Sequence, residues 1–408
     1  MLALLFMLVA SSAAVSSQSP RRVLVIGGSG RVGGSAVRHL HGIANQHNLE
    51  VSVAGRRKAN WDSYVRRQGK SSSLSGVNFL ELDLDDSNSN NVALDDAVRT
   101  HDLIIHTAGP FQGLTIPSVM ESALKHGKLY LDVCDDVSLS RVARSPRYQT
   151  LAVKHGGAAI ISTGIWPGGS SLLAQRVIEL AGGHANVDKC VFKFFTAGSG
   201  GAGPTILTAT FLILGENVLT YAGGKAVYKV SASDPLTADF GAQIGVRDVA
   251  RLNLIECESC FVSGVPSVET FFGTAPPLWN TLFVIMAKLI PQRVLQNRDL
   301  MATFALASLP MVRLVDAFVG RTNGIRVDVT AKDGRTFEGL LTHLDMEKAV
   351  GDAIGAFALQ MLQGTVPPGV FFPEEVEAAL PGGQGKQYRD DVLSYIAADA
   401  ITYTVQEN

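Results

Sequence analysis

Directly after the apolar run Val23-Leu24-Val25-Ile26 the chain reads Gly27-Gly28-Ser29-Gly30-Arg31-Val32-Gly33, and apolar residues then recur at helical spacing through Val32, Ala36, Val37 and Leu40. A G-x-G-x-x-G string set between a buried strand and the helix it opens constrains the chain more than any other feature. Gly28 permits the tight turn, Gly30 lets the backbone approach a pyrophosphate, and Gly33 lets helix and strand pack closely. The helix N-terminus then offers free N–H groups and a partial positive charge to phosphate. The loop is therefore read as a dinucleotide cradle formed by Gly28, Ser29, Gly30, Arg31, Val32 and Gly33, the plain alternative being a glycine-rich structural turn.

The alternation of strand and helix continues. Val51 to Ala54, Val77 to Leu82, Leu103 to Ile105, Tyr130 to Val133 and Ala158 to Ile161 read as further strands, with helices over Val92 to Val98 and Ile116 to Lys125. Such alternation predicts an α/β fold, a Rossmann-type doubly wound parallel sheet. After Gly169 the strands lengthen (Val187 to Thr196, Ala226 to Val230, Ala250 to Glu258), and Asp333-Gly334 separates two more in a hairpin, Ile325 to Thr330 and Thr336 to Leu341. This second part is read as an α+β domain with a mixed or antiparallel sheet. The expected divisions are a signal-like segment over 1–19, a Rossmann domain over 20–168, a substrate or dimerisation domain over 169–343, and a C-terminal helix and tail over 344–408 that packs back on the Rossmann domain.

The end of the second strand refines the ligand. Dinucleotide sites for NAD place Asp or Glu there, whereas this chain has Ala54-Gly55-Arg56-Arg57. A carboxylate would repel a 2′-phosphate, and Arg56 can grip one in bidentate fashion while Arg57 adds charge. The cofactor is thus read as NADP. Asp83, after the third strand, is placed either to bond the adenine amino group or to cap the following turn.

These residues, with Ala108-Gly109-Pro110-Phe111, Tyr130-Leu131-Asp132-Val133 and Gly164-Ile165-Trp166-Pro167-Gly168, together resemble the saccharopine dehydrogenase-like NADP-binding proteins. The likeness continues through Ala349-Val350-Gly351, Pro368-Gly369-Val370 and Pro373-Glu374-Glu375 and so covers nearly all of the chain after residue 20. It implies a Rossmann domain with an inserted α+β domain, pyridine nucleotide chemistry, and contacts to the cofactor from Gly109, Val133 and Cys134. Saccharopine-forming members carry Asp in G-x-D-P-G where this chain has Trp166, which has one N–H donor and no charge. The resemblance is therefore closer to the branch of the family outside the lysine pathway, with Trp166, Pro167 and Gly168 as substrate-pocket residues.

Catalytic groups are harder to read. Asp132, Asp135 and Asp136 are the ionisable side chains nearest the nicotinamide end, and Asp132 is the candidate acid or base; its plain reading is a strand-end cap, with the other two facing solvent. Cys134 is taken as a small buried side chain without thiol chemistry. Tyr221 and Lys225 satisfy Y-x-x-x-K, but Gly223 and Gly224 oppose the helix that pair needs, so short-chain dehydrogenase chemistry is excluded.

Composition excludes other classes. Lys plus Arg total 35 against 37 Asp plus Glu, a formal charge of −2 that gives nucleic acid no electrostatic footing. One C-x-x-C pair among Cys134, Cys190, Cys257 and Cys260 makes no metal site. Leu2 to Ala10 resembles the apolar part of a signal peptide without its basic flank. A secretory signal, the front of a bipartite presequence to an organelle such as a plastid, and a misassigned start all fit; the alternative location is cytoplasmic. No later run reaches roughly 18 uninterrupted apolar residues, so no transmembrane span is expected in the mature chain. The apolar helices over Thr281 to Gly320 are read as the core of the second domain, as a homodimer interface or pocket wall, or as a lipid-contacting surface. The leading functional expectation is an NADP(H)-dependent oxidoreductase acting on a small, weakly polar molecule. Its rival is a non-catalytic NADP-binding or lipid-associated protein.

Overall fold

The computed structural model describes residues 19–69, 73–84, 91–199 and 203–408. Apart from Ser19, the signal-like segment lies outside the described residues, as does part of the polar loop at Lys70 to Ser75.

Six parallel strands build the first sheet: β1 (Arg21–Ile26), β2 (Leu49–Gly55), β3 (Asn78–Glu81), β4 (Leu103–His106), β5 (Leu129–Asp132) and β6 (Ala158–Ile160). Val23, Leu24, Val25, Ile104 and Leu131 are fully buried, as strands covered by helices on both faces require. The second sheet holds β7 (Val187–Ala197), β8 (Val218–Ala222), β9 (Lys225–Lys229), β10 (Leu236–Asp239), β11 (Val246–Arg251), β12 (Ser267–Ala275), β13 (Asn323–Ala331) and β14 (Thr336–His343). Only β7 and β12 run parallel there, so the sheet is mixed. The C-terminal region returns to both sheets: β15 (Gly369–Phe371) pairs with β6, and β16 (Thr402–Glu407) pairs with β14. The first sheet has the order β15-β6-β5-β4-β1-β2-β3, and its order reverses between β1 and β4. A crevice opens at such a reversal, beyond the carboxyl ends of the strands.

The C-terminal helix Met346–Leu362 crosses the helix that opens the glycine loop, Arg31–Gly42. Gly351 and Gly355 allow the approach, since a Cβ at Gly351 would lie 2.8 Å from Ser35 O and one at Gly355 2.6 Å from His39 Nε2. Ser35 Oγ donates to Glu347 O at 2.6 Å, and His39 Nδ1 lies 2.7 Å from Asp352 Oδ1. The helix Gly169–Leu180 covers the second sheet, where Gly339 admits Val177 to a contact that any Cβ would block.

Two expectations need correction. The strand read over Ala250 to Glu258 ends at Arg251, and Glu256–Val262 is a helix. Its carboxylates are buried against partners, with Ser170 Oγ donating to Glu256 at 2.8 Å and Arg141 forking onto Glu258 at 2.7 and 2.8 Å. The apolar helices after Thr281 are not a buried core: Pro277–Leu289 has no buried residue, and Arg298–Val319 buries only Met301, Ala305 and Val312. The latter is long and apolar enough to cross a membrane, although Arg298, Asp299, Arg313 and Asp316 interrupt it. Tyr221 and Lys225 lie on the two arms of the β8–β9 hairpin, turned by Gly223 and Gly224 at positive φ, so they share no helix face.

Candidate active site

One cleft of about 1850 Å³ runs from the glycine loop along the strand ends to the apolar helices. At the loop, Gly27 has φ 85°, and its Cβ position would lie 2.8 Å from Ala108 N. The tight turn therefore falls on Gly27, one residue before the glycine assigned to it. Gly28 packs on Val53, with its Cβ position 2.8 Å from Val53 Cγ1, and is not part of the wall. Gly30 and Gly33 do line the cleft; a Cβ at Gly33 would come within 2.5 Å of Gly27 O, so close packing of helix on strand forbids any side chain there. Ser29, Arg31 and Val32 complete the loop wall. Arg31 Nη2 is held by Glu347 Oε2 at 2.6 Å, which ties the loop to the C-terminal helix.

At the end of β2, Gly55 and the exposed Arg56 line the cleft, whereas Ala54 is buried and accepts from Gly27 N at 2.9 Å. Arg57 is exposed at the N-cap of the helix Lys58–Arg67 and is not in the wall. Asn60, Ser63 and Arg67 of that helix join the wall beside Arg56. Their spacing of three and four residues puts them on one face. That spacing was a usable signal, and the sequence reading missed it. Asp83 also lines the cleft, where its two readings stay open. This loop, with helix N–H groups at one end and Arg56 and Arg67 at the other, fits the pyrophosphate and 2′-phosphate of NADP.

At the other end Gly109, Asp132, Val133, Cys134, Trp166 and Pro167 line the cleft, and Gly168 does not. Asp132 Oδ1 accepts N–H from Cys134 at 3.0 Å and Ser162 at 2.8 Å, while Oδ2 accepts from Tyr130 at 3.0 Å. Burial raises Asp132 to about 6, with these three donors acting against it. Asp136 is buried and caps the helix Val137–Ala143 through Leu139 N at 2.6 Å, which corrects the solvent-facing reading. Asp135, bonded by Gln112 at 2.8 Å, is raised to about 6, and Glu256, a wall residue the sequence did not mark, to about 7, burial being the first cause in both. Burial pushes the Cys134 thiol well up, so it stays protonated. Trp166 stacks on Phe194 with centroids 5.0 Å apart, and among the described residues its buried Nε1 has no hydrogen-bond partner. Beyond it Trp279, Phe283, Met286, Phe304 and Met311 form an apolar wall.

Residues 23–160 match the family model of the saccharopine dehydrogenase NADP binding domain. Among solved structures, the apo saccharopine dehydrogenase (L-Glu forming) of Saccharomyces cerevisiae is similar with a TM-score of 0.62 at 14% identity, over 95% of this chain and 100% of that one. At that identity the likeness shows a shared fold. The WlbA dehydrogenase of Bordetella pertussis, with a TM-score of 0.40 and 10% identity over 93% of this chain and 97% of that one, is too distant to add to it. No curated protein matches the chain. Residues 23–160, which carry the glycine loop, thus form a domain of the saccharopine dehydrogenase NADP binding family.

Proposed function

We propose that this protein is an NADP(H)-dependent oxidoreductase that transfers a hydride to or from a weakly polar substrate with a long apolar part. The continuity of the cleft carries this reading. Its volume of about 1850 Å³ exceeds the ~300–1,000 Å³ of ordinary ligand pockets, so a dinucleotide leaves space for a second molecule. That remaining space is walled by Trp166 and by apolar side chains of Pro204–Leu214, Pro277–Leu289 and Arg298–Val319. Position 166 offers no carboxylate to a charged amino-acid substrate, and the polar groups of the cleft, Asp132, Asp135 and Glu256 among them, can serve a carbonyl or an enoyl unit. Bound NADPH supplies the hydride; the chain supplies position, exclusion of water and a proton.

The same helices turn apolar side chains outward, away from the cleft: Leu289 is 76% and Phe318 83% exposed, with Leu278 and Leu314 also exposed. Patches of this kind mark interfaces. They favour contact with a lipid surface, from which an apolar substrate would be drawn. The signal-like residues 1–19 fit delivery to the secretory pathway or an organelle.

The test is NADPH oxidation by a series of trans-2-enals of increasing chain length, presented in phosphatidylcholine vesicles. Turnover that rises with chain length is expected. Tight NADPH binding without turnover across the series would leave only a binding protein. Sedimentation without vesicles distinguishes a homodimer that covers the outward side chains.

A further inference from the structure

Three ionisable side chains meet at the carboxyl ends of β4 and β5. The strands run parallel with His106 paired to Asp132 in register. The two-residue period of a strand puts Tyr130 on the same face as Asp132. Tyr130 Oη lies 3.2 Å from His106 Nδ1 and 3.0 Å from Asp132 Oδ2, and all three residues are buried. Asp132 Oδ1 is pinned by the N–H groups of Cys134 and Ser162, so the carboxyl cannot turn away. At the far end, His106 forms part of the cleft wall, yet among the described residues its buried Nε2 has no hydrogen-bond partner. A buried nitrogen left so is destabilising and is ordinarily matched by something that binds there.

The geometry points to His106 Nε2 as the acid–base group of the cleft, coupled through Tyr130 to Asp132 so that a proton exchanged at Nε2 is balanced at the Asp132 carboxyl. The use made of that proton rests on the oxidoreductase reading. In one state Asp132 is a carboxylate: Tyr130 donates to it, Nδ1–H donates to Tyr130 Oη, and Nε2 is a bare acceptor. In the other state Asp132 carries a proton and donates it to Tyr130 Oη. Tyr130 then donates to Nδ1, and the ring hydrogen sits on Nε2. Delivery of a proton to substrate breaks Nε2–H, forms Nδ1–H with the proton of Tyr130, and remakes the Tyr130 hydroxyl with the proton of Asp132. One proton leaves and a carboxylate remains; the electron pair comes from the reduced nicotinamide.

The imidazole is neutral in both states, which suits a dry site. Burial lowers His106 to about 4, with the Ala108 backbone acting against it, and raises Asp132 to about 6, so near neutral pH the proton that comes and goes belongs to the carboxyl. Exchange near ambient pH is what acid–base catalysis needs. The other ionisable groups acting on this unit are the Cys134 thiol, kept neutral by burial, and the Asp135 carboxyl.

Nitrogen NMR of the full chain with isotope-labelled histidine reads the ring tautomer without any substrate, and the spectrum of His106→Gln identifies the signals. As pH falls through the titration of Asp132, the hydrogen is expected to move from Nδ1 to Nε2. Asp132→Asn keeps an oxygen for Cys134 and Ser162 and turns the other atom into a donor, so it should hold the Nε2–H form at every pH. Tyr130→Phe should stop the response to pH. Circular dichroism spectra and cooperative melting that match the native protein confirm that both variants fold. A single tautomer across the range in the native chain, or native switching in Tyr130→Phe, would overturn the relay. With enals that the native enzyme turns over, unaltered rates and pH profile in both variants would overturn its catalytic use. Switching in a protein that turns over no enal supports the relay and removes the oxidoreductase reading alone.

Discussion

Replacing Arg56 by alanine isolates the contact that distinguishes the two nicotinamide dinucleotides. Arg56 is exposed in the cleft wall, and among the described residues no carboxylate pairs with it. Truncation therefore strands no buried partner, and its effect falls on the ligand. A hydrogen bond to a charged group contributes about 1.5–3 kcal/mol, and exposure to salt and water favours the low end. Arg67, whose Nη1 donates to Ser63 Oγ at 3.2 Å, remains on the same wall and retains part of the attraction. NADP affinity should fall about 10-fold to 100-fold, since each 1.4 kcal/mol is a factor of ten. NAD has no 2′-phosphate and should bind as before, and Arg56→Asp should widen the gap by adding repulsion. Titration calorimetry with both dinucleotides measures this. Equal losses for NADP and NAD would show that Arg56 does not touch the 2′-phosphate and would remove the physical basis for the preference.

Gly33→Ala must push Gly27 O or the helix aside, because its methyl would sit 2.5 Å from that oxygen; about 1–3 kcal/mol of stability should be lost, seen as a lower melting temperature together with weaker NADPH binding. Asp132 and Asp135 at about 6, with Glu216, Glu256 and Glu374 at about 7, all lie above their ordinary values. Through these five carboxyls the folded chain binds more protons than the unfolded one between about pH 4 and pH 7, so their contribution to stability falls as pH rises through that window; His101, His106, His184 and His343, lowered first by burial, contribute in the opposite sense. Glu256→Gln and Glu374→Gln should each make the slope of melting temperature against pH more positive, and an unchanged slope would contradict the assignment. Phe318→Glu, at a side chain 83% exposed, should reduce co-flotation with phosphatidylcholine vesicles while leaving NADPH binding as it was.

What could be read in advance depended on how local the requirement is. The glycine loop and Arg56 were legible because each is fixed by its place at the end of one strand. The turn itself was misplaced by one residue, since Gly27 is singled out by its approach to Ala108 from β4, far away in sequence. The His106–Tyr130–Asp132 unit depends on the register of β4 against β5, which no local pattern prints. Glu256 and Glu258 defeated the strand reading because their burial rests on Ser170 and Arg141. The apolar helix Arg298–Val319 left core, interface or pocket wall, and lipid surface all open, because apolarity alone does not say what covers a face; its residues form a cleft wall on one side and an exposed surface on the other.

The central claim, hydride transfer in this cleft, is tested most directly by a single turnover with NADPH deuterated at the transferring position of the nicotinamide and a long-chain trans-2-enal in phosphatidylcholine vesicles. The account predicts one deuterium in each product molecule and loss of the nicotinamide absorbance at the same rate. NADPH that binds the glycine loop and stays reduced, with no labelled product, would contradict it.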